Sequence, residues 1–336
     1  MKLIIQIPCY NEEAELGRAL ADLPKTLPGI DVIETLVIDD GSTDGTAEVA
    51  RSAGATYLLR MPIHLGLAQA FSSGLDAALK LGADVIVNTD ADRQYPGDQI
   101  GALIAPILAG RADMVIGDRA PHRSQHFGLA KRWLQRVGSW AVRQLSGTQV
   151  PDAASGFRAF SRRAALKLNV LTRFTYTLET IIQAGKKNIA VSHVPIRTNP
   201  ETRPSRLFGS IATYLRHSMA TMVRIYAMYE PLRVFGALGA LGIGAGMLIG
   251  LRFVIDYFTE GGEGHIQSLI LAAVLVIVGF QTVLIGLLAD LIAGSRALVE
   301  DSLFRVREIE LRLGEGPEVE RLGAPADPPR THARSS

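Results

Sequence analysis

Cysteine is nearly absent from this chain: Cys9 is the only one among 336 residues. A single thiol excludes an intramolecular disulfide and any metal site built from several cysteines. The seven histidines are scattered without the spacing of zinc ligands, so the sequence does not predict a zinc site either. Neither a disulfide framework nor a zinc cluster is therefore expected.

Two common phosphate-binding motifs are also missing. No Gly-x-Gly-x-x-Gly follows the first predicted strand, and no Walker lysine motif occurs, which argues against a dinucleotide-binding fold and a P-loop enzyme. Residues 119–224 are strongly basic, with 18 Lys and Arg against 3 Asp and Glu, but contain no aromatic-rich nucleic-acid-binding motif. We therefore predict no nucleic-acid partner and expect this segment to face anionic lipid headgroups or a lipid phosphate.

Charge is missing from two long apolar stretches near the carboxyl end, Val234 to Leu251 and Ile266 to Ala289. Each is long enough to cross a hydrocarbon core of about 30 Å as a helix. We therefore predict transmembrane helices at 232–258 and 266–292, with buried core helices as the alternative. In the first stretch glycine recurs every four residues, which predicts close packing against the second span or against another protomer as a homo-oligomer. These glycines are Gly242, Gly246 and Gly250.

Lys and Arg are missing from the loop between the two predicted helices, 259–265, which carries Glu260 and Glu263. Arg296, Arg305 and Arg307 follow the second stretch, so the positive-inside tendency places both ends in the cytoplasm. The chain opens directly with a predicted strand and shows no basic n-region or cleavage site of a signal peptide. We predict a multi-pass protein of the cell (inner or plasma) membrane with a cytoplasmic amino-terminal domain.

Before these stretches, short aliphatic runs alternate with helical patterns. Strands are predicted at 2–8, 34–39, near 56–60, from 84, at 113–117 and at 191–197, with helices at 65–81 and 98–109 among those between them. Strands and helices that alternate at this spacing predict an α/β domain with a mostly parallel sheet. We place this domain at 1–206.

Four further segments complete the predicted organisation. The pattern at 124–145 predicts an amphipathic helix, either on the bilayer surface or packed on the sheet. Residues 207–231 are predicted to form an interfacial amphipathic helix with snorkelling cations. Residues 293–313 should form a cytosolic helix, and 314–336, rich in Gly, Pro, Arg and Glu, should be disordered.

Two carboxylates, Asp90 and Asp92, follow the aliphatic strand that starts near residue 84. Ligands bind at the carboxyl ends of strands in open α/β sheets. Mg²⁺ and Mn²⁺ prefer one or two carboxylates together with substrate phosphates. Asp90, Asp92 and the amide oxygen of Gln94 are therefore candidate ligands for a metal on a diphosphate. A solvated acidic turn is the alternative.

Polar residues also end the first two predicted strands. Asp39 is suited to accept hydrogen bonds from a base or a ribose, and Tyr10 is suited to pack on a ring. The alternatives are a turn or helix-capping role for Asp39 and an ordinary half-buried position for Tyr10.

Four motifs occur in a fixed order: IPCYNEE at 7–13, VIDDGSTDGT at 37–46, DADRQYP at 90–96 and SGFRAF at 155–160. Together they resemble family 2 glycosyltransferases of the Rossmann-like GT-A fold, within the branch of dolichol-phosphate mannose synthases and polyprenyl-phosphate glycosyltransferases. The resemblance covers roughly residues 1–206, and the two apolar stretches match the membrane-anchored members. It implies a nucleotide-sugar donor, GDP- or UDP-hexose, a polyprenyl phosphate acceptor in a membrane, and Mg²⁺ or Mn²⁺ as cofactor.

The resemblance also implies roles for the residues at matching positions. The catalytic residues would be Asp90, Asp92 and Arg119. The nucleotide-sugar would be bound by Pro8, Tyr10, Asn11, Glu12, Val37, Asp39, Asp90, Ala91 and Asp92, and the metal by Asp90, Asp92 and Gln94. The acceptor and its phosphate would be bound by Arg119, Asp152, Arg158, Arg197, Arg203, Ser205 and Arg206. The choice among Arg197, Arg203 and Arg206 for the acceptor phosphate stays open, as does a structural salt bridge for Arg158.

The chain departs from the family pattern at two places. Asp118 stands before Arg119 where the family often has Ser or Thr, and His64 and Gly66 stand where many members have Asn-x-Gly. The first departure bears on the local geometry of Arg119.

The reaction implied is transfer of a hexosyl group to a polyprenyl phosphate in a single displacement with inversion. A phosphate monoester has a second pKa of about 6 and is largely a dianion at neutral pH, so a strong general base is unnecessary. One alternative is a processive polysaccharide synthase, but the Gln-x-x-Arg-Trp motif of that class has Leu129 in place of Gln. A catalytically silent membrane scaffold that binds nucleotide-sugar is the other.

Overall fold

The structure of the chain is a computed structural model. It describes residues 1–119, 142–143, 146–170, 176–199, 220, 223–224, 226–260, 266–314, 316 and 319–322. Most of the predicted helices at 124–145 and 207–231 lies outside the described residues, as do Arg203, Ser205 and Arg206. The chain divides into two compact units, Met1–Ser218 with Val306–Ser336, and Met219–Arg305.

The first unit is built on one eight-stranded sheet. Its strands are β1 (Lys2–Cys9), β2 (Val32–Asp39), β3 (Tyr57–Arg60), β4 (Val85–Asn88), β5 (Met114–Asp118), β6 (Arg158–Ser161), β7 (Val191–Pro195) and β8 (Glu320–Arg321). The strand order is β7-β5-β6-β4-β1-β2-β3-β8. β1 to β4 pair in parallel, as do β5 and β7, whereas β6 and β8 run antiparallel to their neighbours. The predicted α/β fold with a mostly parallel sheet is confirmed.

Helices cover both faces of this sheet. They are α1 (Glu13–Ala21), α2 (Thr46–Ser52), α3 (Leu67–Lys80), α4 (Ile100–Leu108) after a short 3₁₀ turn at Gly97–Gln99, α5 (Arg162–Lys167) and α6 (Tyr176–Lys186). Leu3, Ile4 and Ile5 are consecutive in β1 and none is exposed to solvent. A strand buried on both faces reads as a continuous aliphatic run, and this is why β1, β2 and β4 could be predicted.

β6 was not predicted, and it determines where the site forms. It lies between β4 and β5 and is antiparallel to both. The strand is four residues long and begins with Arg158, so it lacks the aliphatic run that marks its neighbours. Because it runs backwards, it brings the residues that precede it to the edge where β4 and β5 end.

The tail predicted to be disordered is ordered in part, which corrects that prediction. Glu320–Arg321 pairs with the edge strand β3, and the Leu322 N–H donates to the Thr56 carbonyl at 2.9 Å. The Arg51 guanidinium donates three hydrogen bonds, of 2.8 to 3.2 Å, to the Glu320 carboxylate. A two-residue edge strand depends on backbone pairing with its neighbour, so the composition of the tail gave no signal of it.

The second unit contains α7 (Pro231–Glu260) and the larger part of α8 (Ile266–Leu313). Both helices are long and apolar enough to cross a membrane. A Cβ at Gly246 would come within 2.8 Å of the Ala272 carbonyl oxygen, and a Cβ at Gly242 would touch Gly279 at 3.4 Å. The predicted glycine face therefore packs against the second span, which is the first of its two predicted options, and oligomerisation through this face is not supported.

The predicted second span and the predicted cytosolic helix are not separate elements. α8 is one continuous helix of 48 residues, about 70 Å long, and so more than twice the thickness of a hydrocarbon core. Its sequence changes from apolar to charged without a proline, and Arg and acidic side chains pair four residues apart in the charged part. The predicted boundary at 292–293 rests on the change from apolar to charged side chains, and such a change does not end a helix.

Candidate active site

The four motif segments converge at one edge of the sheet. β1 and β2 are parallel with Cys9 opposite Asp39, so the loops that follow them are neighbours. β6 is antiparallel to β4 with Arg158 opposite Asn88, so residues before β6 lie beside those after β4. Arg158 also pairs with Ile116 of β5. The segments 7–13, 37–46, 90–96 and 155–160 thus meet at the carboxyl edge of the parallel strands, where ligands bind in this architecture.

The loops after β1 and β2 are tied to each other by side chains. Asn11 adopts a left-handed backbone with φ of 55°, a conformation that Asn tolerates better than most residues. Its N–H donates to Ser42 Oγ at 3.0 Å, and its Oδ1 accepts from the Thr43 N–H at 2.9 Å. The Glu12 N–H donates to Thr46 Oγ1 at 2.9 Å. We call the loops that follow β1 and β2, residues 10–12 and 40–45, the rim. Asn11 and Glu12, both predicted to bind nucleotide, hold these two loops together.

Asp39 is fully buried at the end of β2. Its Oδ1 accepts a hydrogen bond from the Ser42 N–H at 2.9 Å, and its Oδ2 lies 3.4 Å from Arg60 Nε. Within the described part of the chain, Oδ2 accepts no hydrogen bond. A buried carboxylate oxygen in that state is costly, and it is suited to accept from the N–H of a base or from a ribose hydroxyl.

The remaining predicted residues of β1 and β2 lie inside the strands. Pro8 and Val37 are buried, so they lie inside the sheet, within the strands that lead to the rim. Cys9 ends β1 with its Sγ 3.4 Å from the Ile7 carbonyl oxygen. Burial raises the pKa of the Cys9 thiol well above its ordinary value, and the nearby carboxylates of Glu12 and Asp39 raise it further. The thiol is therefore protonated and unreactive at neutral pH.

Tyr10 packs on a ring in this structure, but the ring is His64. The two centroids are 3.8 Å apart with 24° between the ring planes. His64 Nδ1 lies 2.9 Å from Asp40 Oδ2, and the Asp40 carboxylate accepts from the N–H groups of Leu65 and Gly66, both at 2.8 Å. Sequence analysis missed Asp40, since its partners are 24 to 26 residues away and only the fold brings them near.

The acidic pair after β4 is crowded. Burial raises the pKa of Asp90 to about 7, with the neighbouring Asp92 carboxylate as the next largest cause, and Arg119 lowers it in part. Asp92 Oδ1 accepts a hydrogen bond from the Gln94 N–H at 3.0 Å. Ala91, between the two carboxylates, is buried. Two carboxylates are thus held near each other on a bent loop.

The donor set fits Mg²⁺ or Mn²⁺. Within the described ranges no three His, Cys, Asp or Glu side chains converge as a complete metal cage. Mg²⁺ does not need one, because it is usually bound by one or two carboxylates plus substrate phosphates. Burial and the neighbouring Asp92 carboxylate raise the pKa of Asp90, and a cation beside the pair would offset both effects. The ligand assignment to Asp90, Asp92 and Gln94 stays a prediction.

Arg119 and Asp152, both predicted on the acceptor side, form an ion pair in which Asp152 is buried and Arg119 is half-buried. Arg119 Nε and Nη2 donate to the two Asp152 carboxylate oxygens at 2.7 and 3.0 Å. Burial opposes the charged form, but Tyr95, Asp152 and Asp90 together raise the pKa of Arg119 above its ordinary value. A fixed positive charge therefore lies close enough to Asp90 to act on it, although Asp118 precedes it in place of a small residue.

Arg158 does not present its guanidinium to an acceptor. The side chain is fully buried, and it donates to the carbonyl oxygens of Ser155, Thr177 and Ala153 and to Thr180 Oγ1, at 2.6 to 2.9 Å. Burial lowers the pKa of Arg158 to about 10, so it stays charged at neutral pH. Here Arg158 supports the segment before β6, which corrects the predicted acceptor contact, and its partners are not those of a salt bridge.

Gly156 and Asn88 are site residues that sequence analysis did not single out. Asn88 Nδ2 donates to the Gly156 carbonyl at 3.0 Å and to Tyr176 Oη at 2.9 Å. A Cβ at Gly156 would lie 3.1 Å from Asp90 Oδ2 and 3.0 Å from Tyr176 Oη. Glycine is therefore needed for the close approach to Asp90. A polar Asn at the end of an aliphatic strand was the available signal.

The segment after β7 lies along the acidic loop. Arg197 Nη2 lies 2.6 Å from Asp98 Oδ2 in an exposed ion pair. Asn199 Nδ2 donates to the Arg93 carbonyl at 2.8 Å, and the Asn199 N–H donates to the Gln94 carbonyl at 3.0 Å. Of the four residues predicted in 197–206 to bind acceptor phosphate, only Arg197 belongs to the part of the chain that the structure describes.

Comparisons with known proteins agree with this arrangement. Residues 4–168 match the family described as glycosyl transferase family 2. An undecaprenyl-phosphate mannosyltransferase of Micrococcus luteus is 31% identical over 222 residues, which cover 63% of this chain and 89% of that protein. The glycosyltransferase AglJ of Haloferax volcanii is 26% identical over 311 residues, which cover 91% of this chain and 97% of that one.

A solved structure shows the same fold. Glucosyl-3-phosphoglycerate synthase of Mycobacterium tuberculosis, in complex with Mn²⁺, UDP and glucosyl-3-phosphoglycerate, matches with a TM-score of 0.51 at 21% identity, covering 66% of this chain and 79% of that chain. The likeness confirms the predicted GT-A fold. Because the four motifs meet at one sheet edge and a relative matches at 31% identity over most of its own length, this chain belongs to glycosyl transferase family 2 and is a glycosyltransferase.

Proposed function

We propose that this glycosyltransferase moves a hexosyl group from a nucleotide-sugar to a polyprenyl phosphate and so makes a polyprenyl-phosphate sugar. The observation that carries the proposal is that two crowded carboxylates, Asp90 and Asp92, lie at the same sheet edge as the fixed guanidinium of Arg119. Two long apolar helices in the same chain suit a lipid-borne acceptor. The relative from M. luteus is named for an acceptor of this class.

The nucleoside of a GDP- or UDP-hexose binds over the ends of β1 and β2. Asp39 Oδ2, which accepts no hydrogen bond within the described part of the chain, accepts one from the base or the ribose. Tyr10, which is 39% exposed, offers an aromatic face at the rim. Asn11 and Glu12 keep the two loops in place through their bonds to the 42–46 segment.

The diphosphate lies over the loop that follows β4. Asp90, Asp92 and the amide oxygen of Gln94 hold Mg²⁺ or Mn²⁺, which when bound neutralises negative charge on the leaving diphosphate. Arg119 places a second positive charge near Asp90. Because Asp152 already fixes the orientation of the Arg119 guanidinium, little reorganisation is needed as charge develops.

The acceptor phosphate is itself the nucleophile. One of its oxygens forms a bond to the anomeric carbon while the bond from that carbon to the diphosphate oxygen breaks, with inversion. The phosphate is largely a dianion at neutral pH, so no protein group has to remove a proton. Arg119 and Arg197, with Arg203, Ser205 and Arg206 further along the chain, hold the acceptor in line, since guanidinium groups bind phosphate oxygens in pairs.

We place this chemistry at the cytoplasmic face of the cell's inner or plasma membrane. α7 and α8 serve as the two spans, and their apolar stretches expose large aliphatic side chains, among them Leu241 and Ile292, each at least 70% exposed. Both ends of the helix pair then lie in the cytoplasm, where Arg296, Arg305 and Arg307 follow the second span.

The test is a sugar-transfer assay with the purified full-length protein in detergent. The protein is incubated with undecaprenyl phosphate and, one at a time, radiolabelled GDP- and UDP-hexoses, with Mn²⁺ or with EDTA, and the lipid is extracted. We expect one labelled lipid product that EDTA abolishes. Label found only in free sugar or in a long polymer would overturn the proposed acceptor.

Two variants separate the site from general effects of charge removal. Asp92→Ala should abolish the labelled lipid. Asp76→Ala removes an exposed carboxylate from α3 that pairs with Lys80, and it should leave the product unchanged. Equal activity of the two variants would remove Asp92 from the proposed site.

A further inference from the structure

We propose that Asn199 is a positioning residue for the metal loop, defined as residues 90–94. This inference rests on the proposed function, because the role concerns the cation expected at Asp90, Asp92 and Gln94. Asn199 belongs to none of the four motifs and lies 105 residues beyond the loop in the chain. Its contacts with the loop carry the proposal.

The metal loop has a strained backbone at its centre. Arg93 has φ of 60°, in the left-handed region that residues other than Gly, Asn and Asp seldom adopt. Such a conformation persists only where the surroundings hold it. The two predicted ligands Asp92 and Gln94 flank Arg93, so the direction of both side chains depends on this one turn.

Asn199 holds the turn from outside the loop. Its side-chain amide donates to the Arg93 carbonyl at 2.8 Å, and its main-chain N–H donates to the Gln94 carbonyl at 3.0 Å. These two carbonyls belong to consecutive peptide units. Two donors of one residue therefore fix the planes of both peptides that follow the left-handed residue.

Asn199 is itself well placed to act as an anchor. It follows β7, which pairs in parallel with β5 over five residues, and the Ile196 N–H continues that pairing by donating to the Asp118 carbonyl at 2.9 Å. The metal loop follows β4, a different strand. Asn199 thus fixes the loop to a part of the sheet that does not carry it.

This arrangement predicts that the Asn199 amide acts on metal affinity and not on the chemical step. Losing one hydrogen bond to the strained peptide should weaken Mn²⁺ binding by about three- to tenfold. Turnover at saturating Mn²⁺ should stay close to that of the wild type. A residue needed only for general stability would change both or neither.

The experiment measures Mn²⁺ binding to the full-length protein in detergent by the EPR signal of free Mn²⁺, with GDP and with UDP. Asn199→Ala removes the amide, Asn199→Leu removes it while keeping the branched shape of the side chain, and both keep the main-chain donor. Both should show the three- to tenfold loss. Thr198→Ala alters the exposed neighbour and should bind Mn²⁺ as the wild type does. Melting temperatures of all variants verify that each is folded.

A second substitution tests whether the lost Mn²⁺ affinity arises from the left-handed backbone of Arg93. Asn tolerates the left-handed region, so Arg93→Asn should make the turn less dependent on its anchor. Adding Arg93→Asn to Asn199→Leu should recover at least half of the lost affinity on a logarithmic scale. If Asn199→Ala does not fold, Asn199→Leu with and without Arg93→Asn decides the question.

The outcomes for the two proposals are distinct. If the wild type binds no Mn²⁺ with either nucleotide, the proposed metal site fails. If the wild type binds Mn²⁺ but both Asn199 variants bind it equally well, the role of Asn199 is overturned while the site stands. A loss of affinity that Arg93→Asn does not recover overturns the account through the left-handed turn.

Discussion

The two halves of the carboxyl edge hold their functional side chains by opposite means. In the half formed by β1, β2 and β3, buried carboxylates such as Asp39 and Asp40 accept hydrogen bonds from main-chain amides. In the half formed by β5 and β6, the guanidinium groups of the half-buried Arg119 and the fully buried Arg158 donate to protein oxygens. One half is preorganised around negative charge and the other around positive charge.

This difference matches the distribution of charge along the chain. Residues 1–118 contain 8 Lys and Arg against 17 Asp and Glu, and residues 119–224 contain 18 against 3. A diphosphate that binds over the acidic half needs a cation to offset the like charge, whereas a phosphate on the basic half does not. Metal dependence should therefore belong to the binding of the donor and not to that of the acceptor.

The largest expected effect comes from removing a charge at the boundary between the halves. Asp90→Asn should lower the initial rate of hexosyl transfer by about a thousandfold at saturating Mn²⁺, because a metal contributes several kcal/mol to stabilising a leaving diphosphate. The matched control Asp76→Asn should keep the wild-type rate. A rate for Asp90→Asn within tenfold of the wild type would break the comparison.

The second largest effect is expected at Arg119, where a double substitution separates its contribution to stability from its contribution to the transfer rate. Arg119→Met leaves the Asp152 carboxylate buried and unpaired, which should lower the free energy of unfolding by about 3 kcal/mol. Adding Asp152→Leu should restore most of that stability, whereas sugar transfer should stay at least about a hundredfold below wild type. Chemical denaturation and initial rates measure the two quantities. Recovery of the rate together with stability would mean that Arg119 is only structural.

A smaller effect concerns pH and the acidic pair without metal. The folded pKa of Asp90, about 7, is above the ordinary value, so the folded state binds the proton more tightly. In EDTA, stability should therefore fall as pH rises from about 4 to about 7 and then level off. Above pH 7, the free energy of unfolding of Asp90→Asn should be about 1–2 kcal/mol higher than that of the wild type. This is less than the full pKa shift implies, because the Asp90 side chain is partly exposed.

Thermal melting in EDTA between pH 5 and pH 9 verifies the sign. Addition of Mn²⁺ with nucleotide should stabilise the wild type and leave Asp90→Asn nearly unchanged. A wild-type protein whose stability rises with pH over this range would contradict the burial of an ionised Asp90.

The smallest effect is expected at the outer edge of the half formed by β1, β2 and β3, where β8 pairs with β3. Glu320→Ala removes the exposed pair with Arg51 and should lower the free energy of unfolding by at most about 1 kcal/mol. The rate of sugar transfer should not change. Glu308→Ala, which breaks an exposed pair within α8, is the matched control. If the rate of sugar transfer fell clearly for Glu320→Ala and not for Glu308→Ala, the exposed Glu320–Arg51 pair would contribute to the active site, contrary to this prediction.

The sequence indicated those parts of the site that follow directly from strand ends. Asp39 and Asp90 could be placed because each follows a buried aliphatic run, and a strand buried on both faces leaves a clear pattern. Arg119 and Asp152 were chosen from the resemblance, and the structure brings them together as a bidentate pair.

The rest depended on contacts that no local pattern contains. Asp40 and Asn199 act on backbone groups that are distant in sequence, so no local pattern indicates either set of contacts. Arg158 was expected to face the acceptor, because a cation in a motif segment gives no sign that backbone carbonyls will surround it. β6 and β8 are too short to show an alternating pattern, and each depends on the strands beside it.

Burial of Cys9 has a practical consequence for mapping the membrane orientation. The only native thiol is shielded and protonated, so a maleimide reagent should react only with a cysteine introduced by mutagenesis. Glu263→Cys should then be labelled by an impermeant reagent in intact cells, whereas Glu48→Cys, at an exposed position on α2, should require permeabilisation. Because Cys9 does not react, it need not be replaced before labelling. Apart from the introduced cysteine, the labelled protein therefore keeps its natural sequence.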